Sequence, residues 1–144
     1  MIRAVLDSNV VVSASLRNTG LPAAIVDLAI ERKIQMYVSD AVLGEYKEVL
    51  NRSRLALPPR PIAPFLATIR RISILEEPMR TITLIPDHPD NRLLECAQAA
   101  SAHYLITGNV RHFPERFQAT EIVTPLEFIS LVYPALAQIR RESR

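Results

Sequence analysis

The stretch AVLDSN, residues 4–9, decides the fold, because the strongest strand signal near the start of the chain ends on a carboxylate. The apolar run that begins at Ile2 and ends at Leu6 predicts a strand buried on both faces, as in parallel sheets. Asp7 then lies at the carboxyl end of a core strand, which is the edge where open α/β sheets form ligand crevices. We therefore expect Asp7 to be either a site residue or a cap for the next turn.

The composition predicts one globular domain spanning residues 1–144. Hydrophobic residues make up 49% of the chain and charged residues 22%, which leaves no tract polar enough to be intrinsically disordered. The single cysteine, Cys96, excludes an internal disulfide and fits a reducing compartment. The sequence has no start resembling a signal peptide and no apolar run of about 18 residues. We expect a cytoplasmic protein without a membrane anchor.

Positive charge is concentrated in one part of the sequence. The net charge is only +2, but the segment from Asn51 to Arg80 holds six arginines against Glu76 and Glu77. A planar guanidinium suits phosphate recognition, so a polyanion partner is one explanation for this segment. A solvated helical face is the commoner explanation.

Strands and helices alternate along the chain with short links, which predicts a parallel sheet covered on both faces. After the first strand, the predicted strands are IQMYV (34–38), the alternating run within TITLIPDHPDN (81–91), HYLITGN (103–109) and EIV (121–123). The predicted helices lie within NTGLPAAIVDLAIERK (18–33), after a Ser39 N-cap, within PFLATIRRISIL (64–75), at NRLLECAQAASA (91–102), and after a Thr124 cap with Pro125 as the first helical residue. LALPPRPIAP (55–64) is predicted to be a loop.

Several oxygen-bearing side chains fall near the ends of these elements. Asp7 ends the first strand, Glu45 lies one and a half turns into its helix, Asp90 opens a helix just after Asp87, and Asn109 follows the fourth strand. One crevice at the carboxyl edge could collect them all. Oxygen ligands without His or Cys favour Mg²⁺ or Mn²⁺, and such an ion can activate water for phosphodiester hydrolysis. Each acid also has a structural explanation, as a turn residue, a helix cap or a solvent-facing side chain.

Taken together, VLDSN, VSDAVLGEYKEVL, DHPDNRLLECAQAASAHYLITGN and RHFP resemble the acidic framework of the PIN domain over almost the whole chain. Within that superfamily the chain most resembles toxin components of toxin–antitoxin systems, which are relatives of the VapC ribonucleases. The resemblance implies a three-layer α/β/α fold with a mainly parallel five-stranded sheet, and endoribonuclease activity that depends on Mg²⁺ or Mn²⁺. It places the first three family acids at Asp7, Glu45 and Asp90, with Asp87 as an additional acid. It also implies RNA as substrate, an antitoxin partner and a homodimer.

The turn that follows the fourth strand departs from the family pattern. The fourth acidic position is Asn109, whose amide can coordinate through oxygen but lacks charge, so one or two metal ions remain possible. Asn9 is expected to position neighbouring carboxylates, and Thr107 to contact Asn109 or a metal-bound water. Arg111 and His112 are the candidates for contact with RNA phosphate, together with arginines of the 51–80 segment.

Two other functions compete with a metal-dependent ribonuclease. A phosphatase of the haloacid-dehalogenase type also ends its first strand on an aspartate, but it needs a second aspartate where this chain has Asn9. It also needs a downstream lysine, and lysine occurs here only at Lys33 and Lys47. A PIN fold that binds RNA or protein without cutting stays open because of Asn109. The presence of three acids in the family pattern argues against it.

Overall fold

The computed structural model describes residues 1–53 and 61–135, which form a mixed α/β fold around one sheet. The strands are β1 (Arg3–Leu6), β2 (Gln35–Val38), β3 (Ser73–Leu75), β4 (Tyr104–Ile106), β5 (Arg116–Phe117) and β6 (Thr120–Val123). The helices are α1 (Ser8–Leu16), α2 (Leu21–Ile30), α3 (Asp40–Ser53), α4 (Ile62–Ile72), α5 (His88–Ala100) and α6 (Pro125–Val132), with a 3₁₀ turn at Val110–His112.

The sheet has the strand order β3-β2-β1-β4-β6-β5. All neighbouring pairs are parallel except β5 and β6, which form an antiparallel hairpin at one edge. Ala4, Val5 and Leu6 in the central strand are fully buried although successive residues point to opposite faces. Both faces of the sheet are therefore covered, and the predicted three-layer α/β/α architecture is confirmed. The carboxyl ends of five strands share one edge.

The sheet has six strands in the described residues, where five were expected. The third strand lies at Ser73–Leu75, inside the predicted helix of residues 64–75. Helix α4 ends at Ile72, and Ile74 then pairs with Tyr37 of β2. A β-branched residue beside an available strand edge adopts the extended conformation, so tertiary pairing outweighs helical periodicity. The two-residue β5 was not predicted, because a strand this short leaves no periodic signal.

Two further regions differ from the prediction. TITLI, residues 81–85, forms no strand, and residues 8–16 form helix α1 although no helix was predicted there. Val10 and Val11 have modest helix propensity, but both are buried, so packing rather than propensity stabilises this helix. The predicted loop at 55–64 lies largely outside the described residues, and its last three residues form the first turn of α4.

The predicted caps of two helices are confirmed. The Ser39 hydroxyl accepts a hydrogen bond from Val42 N at 3.1 Å at the start of α3. Thr124 and Glu127 form a reciprocal capping box at the start of α6, with Pro125 as the first helical residue. Cys96 is buried in α5, as a small core residue would be. None of the helices in residues 1–53 and 61–135 is long and apolar enough to cross a membrane.

Candidate active site at the carboxyl edge of the sheet

Asp7 is fixed at the end of the central strand. Its backbone N–H donates to Ile106 O at 2.9 Å, which continues the ladder between β1 and β4 by one residue. Its carboxylate makes no capping bond to α1 but accepts a hydrogen bond from the Thr107 hydroxyl at 2.8 Å. Only 7% of the residue is exposed. The shortest bond to the Asp7 carboxylate therefore comes from the residue that follows β4, and longer contacts come from Ser8 and Asn9 at the start of α1.

A small network joins the start of α1 to the turn after β4. Asn9 Nδ2 lies 3.5 Å from Asp7 Oδ2, and Asn9 Oδ1 accepts a hydrogen bond from Gly108 N at 3.1 Å. The Thr107 hydroxyl also accepts from Asn109 N at 3.0 Å. These bonds hold the two segments that flank the Asp7 carboxylate in one arrangement.

Helix α3 brings Glu45 to the same edge. Its neighbour Tyr46 is fully buried, and the Tyr46 hydroxyl donates to the carbonyl oxygen of Leu6, the residue before Asp7. This bond ties α3 to the end of β1. Burial raises the pKa of the Glu45 carboxyl, as do the negative charges of Glu48, Asp7 and Asp87, whereas Arg52 lowers it. Glu45 is therefore close enough to the other acids for their charges to act on it.

The first turn of α5 supplies Asp90 and its cap. Asp87 is the N-cap, because its Oδ1 accepts a hydrogen bond from Asp90 N at 3.2 Å, so the interpretation of Asp90 as the cap is wrong. Asp90 is 7% exposed, and its buried Oδ2 accepts no hydrogen bond among the described residues. A basic atom, His112 Nδ1, lies 3.5 Å from this oxygen. Burial, assisted by Asp87 and Asp7, raises the pKa of Asp90 to about 6 against the lowering effect of His112.

A cavity of about 170 Å³ opens between the starts of α1, α3 and α5. Asp7 and Glu45 line it together with Tyr46 and Arg92. Asp87, Asp90 and Asn109 do not line the cavity. Of these three, Asp87 acts electrostatically on the lining residue Glu45 and also on Asp90, and in both cases it raises the pKa of the carboxyl.

The turn after β4 exposes the remaining predicted residues. Asn109 is exposed and precedes the 3₁₀ turn without a capping bond from its side chain. Arg111 and His112 are also exposed, and His112 is the one that lies beside Asp90. The predicted fourth position is therefore at the correct sheet edge, but its side chain faces solvent.

The chemistry of these oxygens fits a hard divalent cation, although they do not form a closed site. In residues 1–53 and 61–135, no group of three Asp, Glu, His or Cys side chains is placed to hold one metal ion. However, a buried carboxylate oxygen without a donor is costly, and like charges collected at one edge raise that cost. Asp90 Oδ2 is close to this case, because its partner, His112 Nδ1, lies as far as 3.5 Å away. A cation bound by the acids would offset both the cost of burying the oxygen and the repulsion between the carboxylates.

Three residues on α5 position the site and were not predicted. Asn91 Oδ1 accepts from Ile85 N at 2.9 Å, Glu95 Oε2 accepts from Ile82 N at 2.8 Å, and Arg92 Nη2 donates to Ile82 O at 3.0 Å. Arg92 Nη2 also lies 2.6 Å from Glu95 Oε2. These bonds attach the irregular 82–85 segment to α5 just before Asp87. The sequence signal that could have indicated them is the pair Asn91 and Glu95, two polar residues four positions apart on a mainly apolar helix face.

The described arginines of the 51–80 segment do not all lie at this site. Arg52, on α3, acts on Glu45, but Arg70 and Arg71 end α4 immediately before β3. They lie at the amino edge of the sheet, opposite Asp7, because β3 is parallel to the strands beside it. That arginines of this segment contact RNA phosphate stays a prediction, and Arg70 and Arg71 would do so away from the acidic residues. Arg54 and Arg60 lie outside the described residues.

The sequence comparisons agree with this architecture. The family model for the PIN domain matches residues 3–111, from β1 to the 3₁₀ turn. The chain belongs to the PIN-domain family. It is also 31% identical over 111 residues to the uncharacterized protein MJ1680 of Methanocaldococcus jannaschii, a match that covers 75% of this chain and 71% of the relative. PIN domains are in general nucleases that use divalent metal ions, so membership indicates a nuclease-type hydrolase.

Proposed function

We propose that this PIN domain is an endoribonuclease that depends on Mg²⁺ or Mn²⁺ and acts as the toxin of a type II toxin–antitoxin system. The observation that carries the nuclease proposal is the buried Oδ2 of Asp90, whose partner is His112 Nδ1 at 3.5 Å, at the edge that also holds Asp7 and Glu45. The toxin proposal is supported by the resemblance of the VLDSN and DHPDN motifs to toxin components.

In this proposal Asp7, Glu45 and Asp90 hold the ion, and Asp87 and Asn109 support it through oxygen or water. When bound, the ion supplies Lewis-acid catalysis and activates water for attack on the phosphodiester. The residues of the chain have the task of keeping their carboxylates in place and charged. Because burial and mutual repulsion raise the pKa values of Glu45 and Asp90, a cation would also favour their ionised forms.

Neighbouring residues orient this centre and the substrate. Thr107 and Asn9 fix the direction of the Asp7 carboxylate, and the Tyr46 bond to Leu6 fixes the helix that carries Glu45. Arg111 and His112 are exposed on the turn beside Asp90 and are proposed to contact the RNA phosphate. A guanidinium there would offset the negative charge of a phosphodiester that approaches an acidic edge.

Cleavage of an end-labelled RNA pool by the purified protein tests the nuclease proposal. We expect cutting only with Mg²⁺ or Mn²⁺ present, and its loss in both Asp7→Asn and Asp90→Asn. Asp27→Asn is the matched control, because Asp27 is an exposed acid on α2. Equal cutting by the wild type and both site variants would contradict the proposal.

A second candidate is a PIN fold that binds RNA or protein without cutting. The exposed Asn109 in place of an acid favours it. Folded wild type that binds the RNA pool but leaves it intact with either metal would establish this candidate. Restoring the acid by Asn109→Asp separates the causes, because cutting gained by that variant identifies residue 109 as the reason for the loss.

We also propose a cytoplasmic location, a cognate antitoxin and a homodimer. These three rest on the resemblance to toxin components and on the family membership. Expression of the wild type in a bacterial host should arrest growth, whereas expression of Asp7→Asn should not. Sedimentation of the purified protein gives its oligomeric state directly, and a monomer at micromolar concentration would contradict the dimer.

A further inference from the structure

A group of basic residues lies at the sheet edge opposite the acidic site. Arg32 and Lys33 follow α2 just before β2, and Arg70 and Arg71 end α4 just before β3. Since β2 and β3 are parallel neighbours, all four residues are at the amino edge. This edge is well separated from Asp7, because the strands run between them.

Two of these arginines line a cavity of about 240 Å³ between the turn before β2 and the start of β3. Arg32 and Arg71 contribute its charged side chains, and no Asp or Glu is among its described lining residues. Both arginines are exposed, and neither forms an ion pair with a described acid. Their charges are therefore available to a ligand.

The sign of the local charge favours an anion. Helices α2 and α4 both end at this cavity, and each helix C-terminus contributes about half a negative charge. The two arginines outweigh that contribution. Glu31 and Lys33, which flank Arg32 in the chain, carry opposite charges, and Lys33 Nζ donates a hydrogen bond to the Tyr133 hydroxyl. A water molecule takes about 30 Å³ of liquid volume, so the cavity has room for a group as large as a phosphate. Guanidinium pairs are well suited to bind phosphate oxygens.

We propose that Arg32 and Arg71 form a phosphate-binding site that holds the RNA backbone at the amino edge, away from the acidic cavity. The identity of the polymer rests on the proposed ribonuclease function. An RNA long enough to pass around the domain is held at both edges, whereas a short RNA reaches one edge at a time. The site thus favours long or structured RNA as the substrate.

Binding of labelled RNA without metal tests this site independently of cleavage. The experiment compares wild type with Arg32→Glu/Arg71→Glu, using an RNA of about 40 nucleotides in EDTA. Arg80→Glu/Arg116→Glu is the control for net charge, because both arginines are exposed and the change in net charge is the same. Its folding is verified first, because Arg116 pairs with Glu121 at 2.7 Å. Circular dichroism and thermal unfolding verify that each variant is folded.

We expect the amino-edge variant to lose about tenfold in affinity at 0.1 M salt, and the control less than about threefold. The slope of log affinity against log salt should fall by about 0.7 for each phosphate of single-stranded RNA that the variant no longer binds. Equal losses in both double variants would overturn the proposal, because general charge would then explain the binding. If Arg32→Glu/Arg71→Glu is unfolded, the comparison is repeated with glutamine in place of glutamate. The variants are then Arg32→Gln/Arg71→Gln and the control Arg80→Gln/Arg116→Gln, with the same criteria.

Two outcomes separate this inference from the proposed nuclease. Selective loss of RNA binding in a protein that does not cut supports the amino-edge site and refutes the nuclease. Cutting of RNA with no selective loss refutes the amino-edge site and leaves the nuclease. Titration with inorganic phosphate distinguishes the source of the ligand: sub-millimolar phosphate binding at Arg32 and Arg71 that RNA does not displace would overturn the assignment to RNA.

Discussion

The two edges of the parallel sheet carry charges of opposite sign, and the charged side chains differ in burial. At the carboxyl edge, Asp7 and Asp90 are buried, and Glu45 lines a cavity together with Asp7. At the amino edge, Arg32 and Arg71 are exposed and unpaired with described acids. Helix direction explains part of the contrast, since α1, α3 and α5 begin at the carboxyl edge, whereas α2 and α4 end at the amino edge.

Helix dipoles do not explain all of it. A helix N-terminus stabilises a negative charge and should lower the pKa of a carboxyl in the first turn. Asp90 lies in the first turn of α5, yet burial raises its pKa to about 6. Burial and the charges of Asp87 and Asp7 therefore disfavour the ionised carboxylate, whereas the helix dipole favours it. The carboxyl edge has an electrostatic cost in the metal-free protein that the amino edge does not have, and a cost of this kind is typical of functional sites.

The largest effect should follow from removing the charge of Asp7. We expect Asp7→Asn to lower the rate of RNA cleavage by about 100-fold or more, because a ligand for the ion is lost while the amide can still accept the Thr107 hydrogen bond. Single-turnover cleavage of a short RNA measures this. Asp27→Asn, which removes an exposed acid on α2, should change the rate less than twofold in the same assay, and a comparable loss there would show that the effect is not specific to the carboxyl edge.

Asp90→Asn should stabilise the metal-free protein above pH 6. Because the folded pKa of Asp90, about 6, exceeds its usual 3.8, the folded state binds more protons between these values. The free energy of unfolding therefore falls as pH rises from about 4 to about 6 and stays low above. The difference between 3.8 and about 6 corresponds to at most about 3 kcal/mol, so we expect Asp90→Asn to raise the free energy of unfolding by about 1–3 kcal/mol.

Urea unfolding in EDTA at pH 5 and pH 7.5 measures this difference. The increase in the free energy of unfolding caused by Asp90→Asn should be larger at pH 7.5 than at pH 5. Asp27→Asn should cause no such increase at either pH. In Asp90→Asn the free energy of unfolding should still fall in part as pH rises, because the pKa of Glu45 is also raised. Addition of Mn²⁺ should then stabilise the wild type more than the variant. Destabilisation of the metal-free protein by Asp90→Asn would show that this carboxylate is a structural group.

Tyr46→Phe should lower the free energy of unfolding by about 1–3 kcal/mol, because the Leu6 carbonyl loses its buried donor. Tyr37→Phe is the comparison, since Tyr37 is only partly buried. Urea unfolding gives both values. We also expect Tyr46→Phe to slow cleavage, because α3 is no longer tied to the end of β1. A stable variant with normal cleavage would show that packing alone positions Glu45.

The sequence predicts the placement of the three main acids well, because each follows a strand or lies on a strongly periodic helix. Asp7 ends β1 as predicted, and Glu45 and Asp90 lie on α3 and α5 at the same edge. Their role as metal ligands stays a prediction. What the sequence could not predict depends on contacts between distant segments. Neither the bond between Tyr46 and Leu6 nor the absence of a donor for Asp90 Oδ2 among the described residues has a local signal.

The errors in secondary structure have the same origin. Ser73–Leu75 continues a helical pattern in the sequence, and only the free edge of β2 makes it a strand. Residues 81–85 alternate like a strand, but the side chains of Asn91, Arg92 and Glu95 satisfy the backbone of 82 and 85. In both cases the deciding hydrogen-bond partner lies more than five residues away, beyond the reach of periodicity.

The smallest effect is expected at the amino edge, where it sharpens the comparison. Arg71→Gln removes a cation from the last turn of α4, which should cost about 0.3–1 kcal/mol of stability at low salt and less at high salt. Thermal unfolding at two salt concentrations measures it. RNA in EDTA should stabilise the wild type more than Arg71→Gln, because a ligand that prefers the folded state raises its stability. If the stability cost depends on salt but RNA stabilises both proteins equally, Arg71 acts only as a charge at the end of a helix. The contrast between the edges would then follow from helix direction alone.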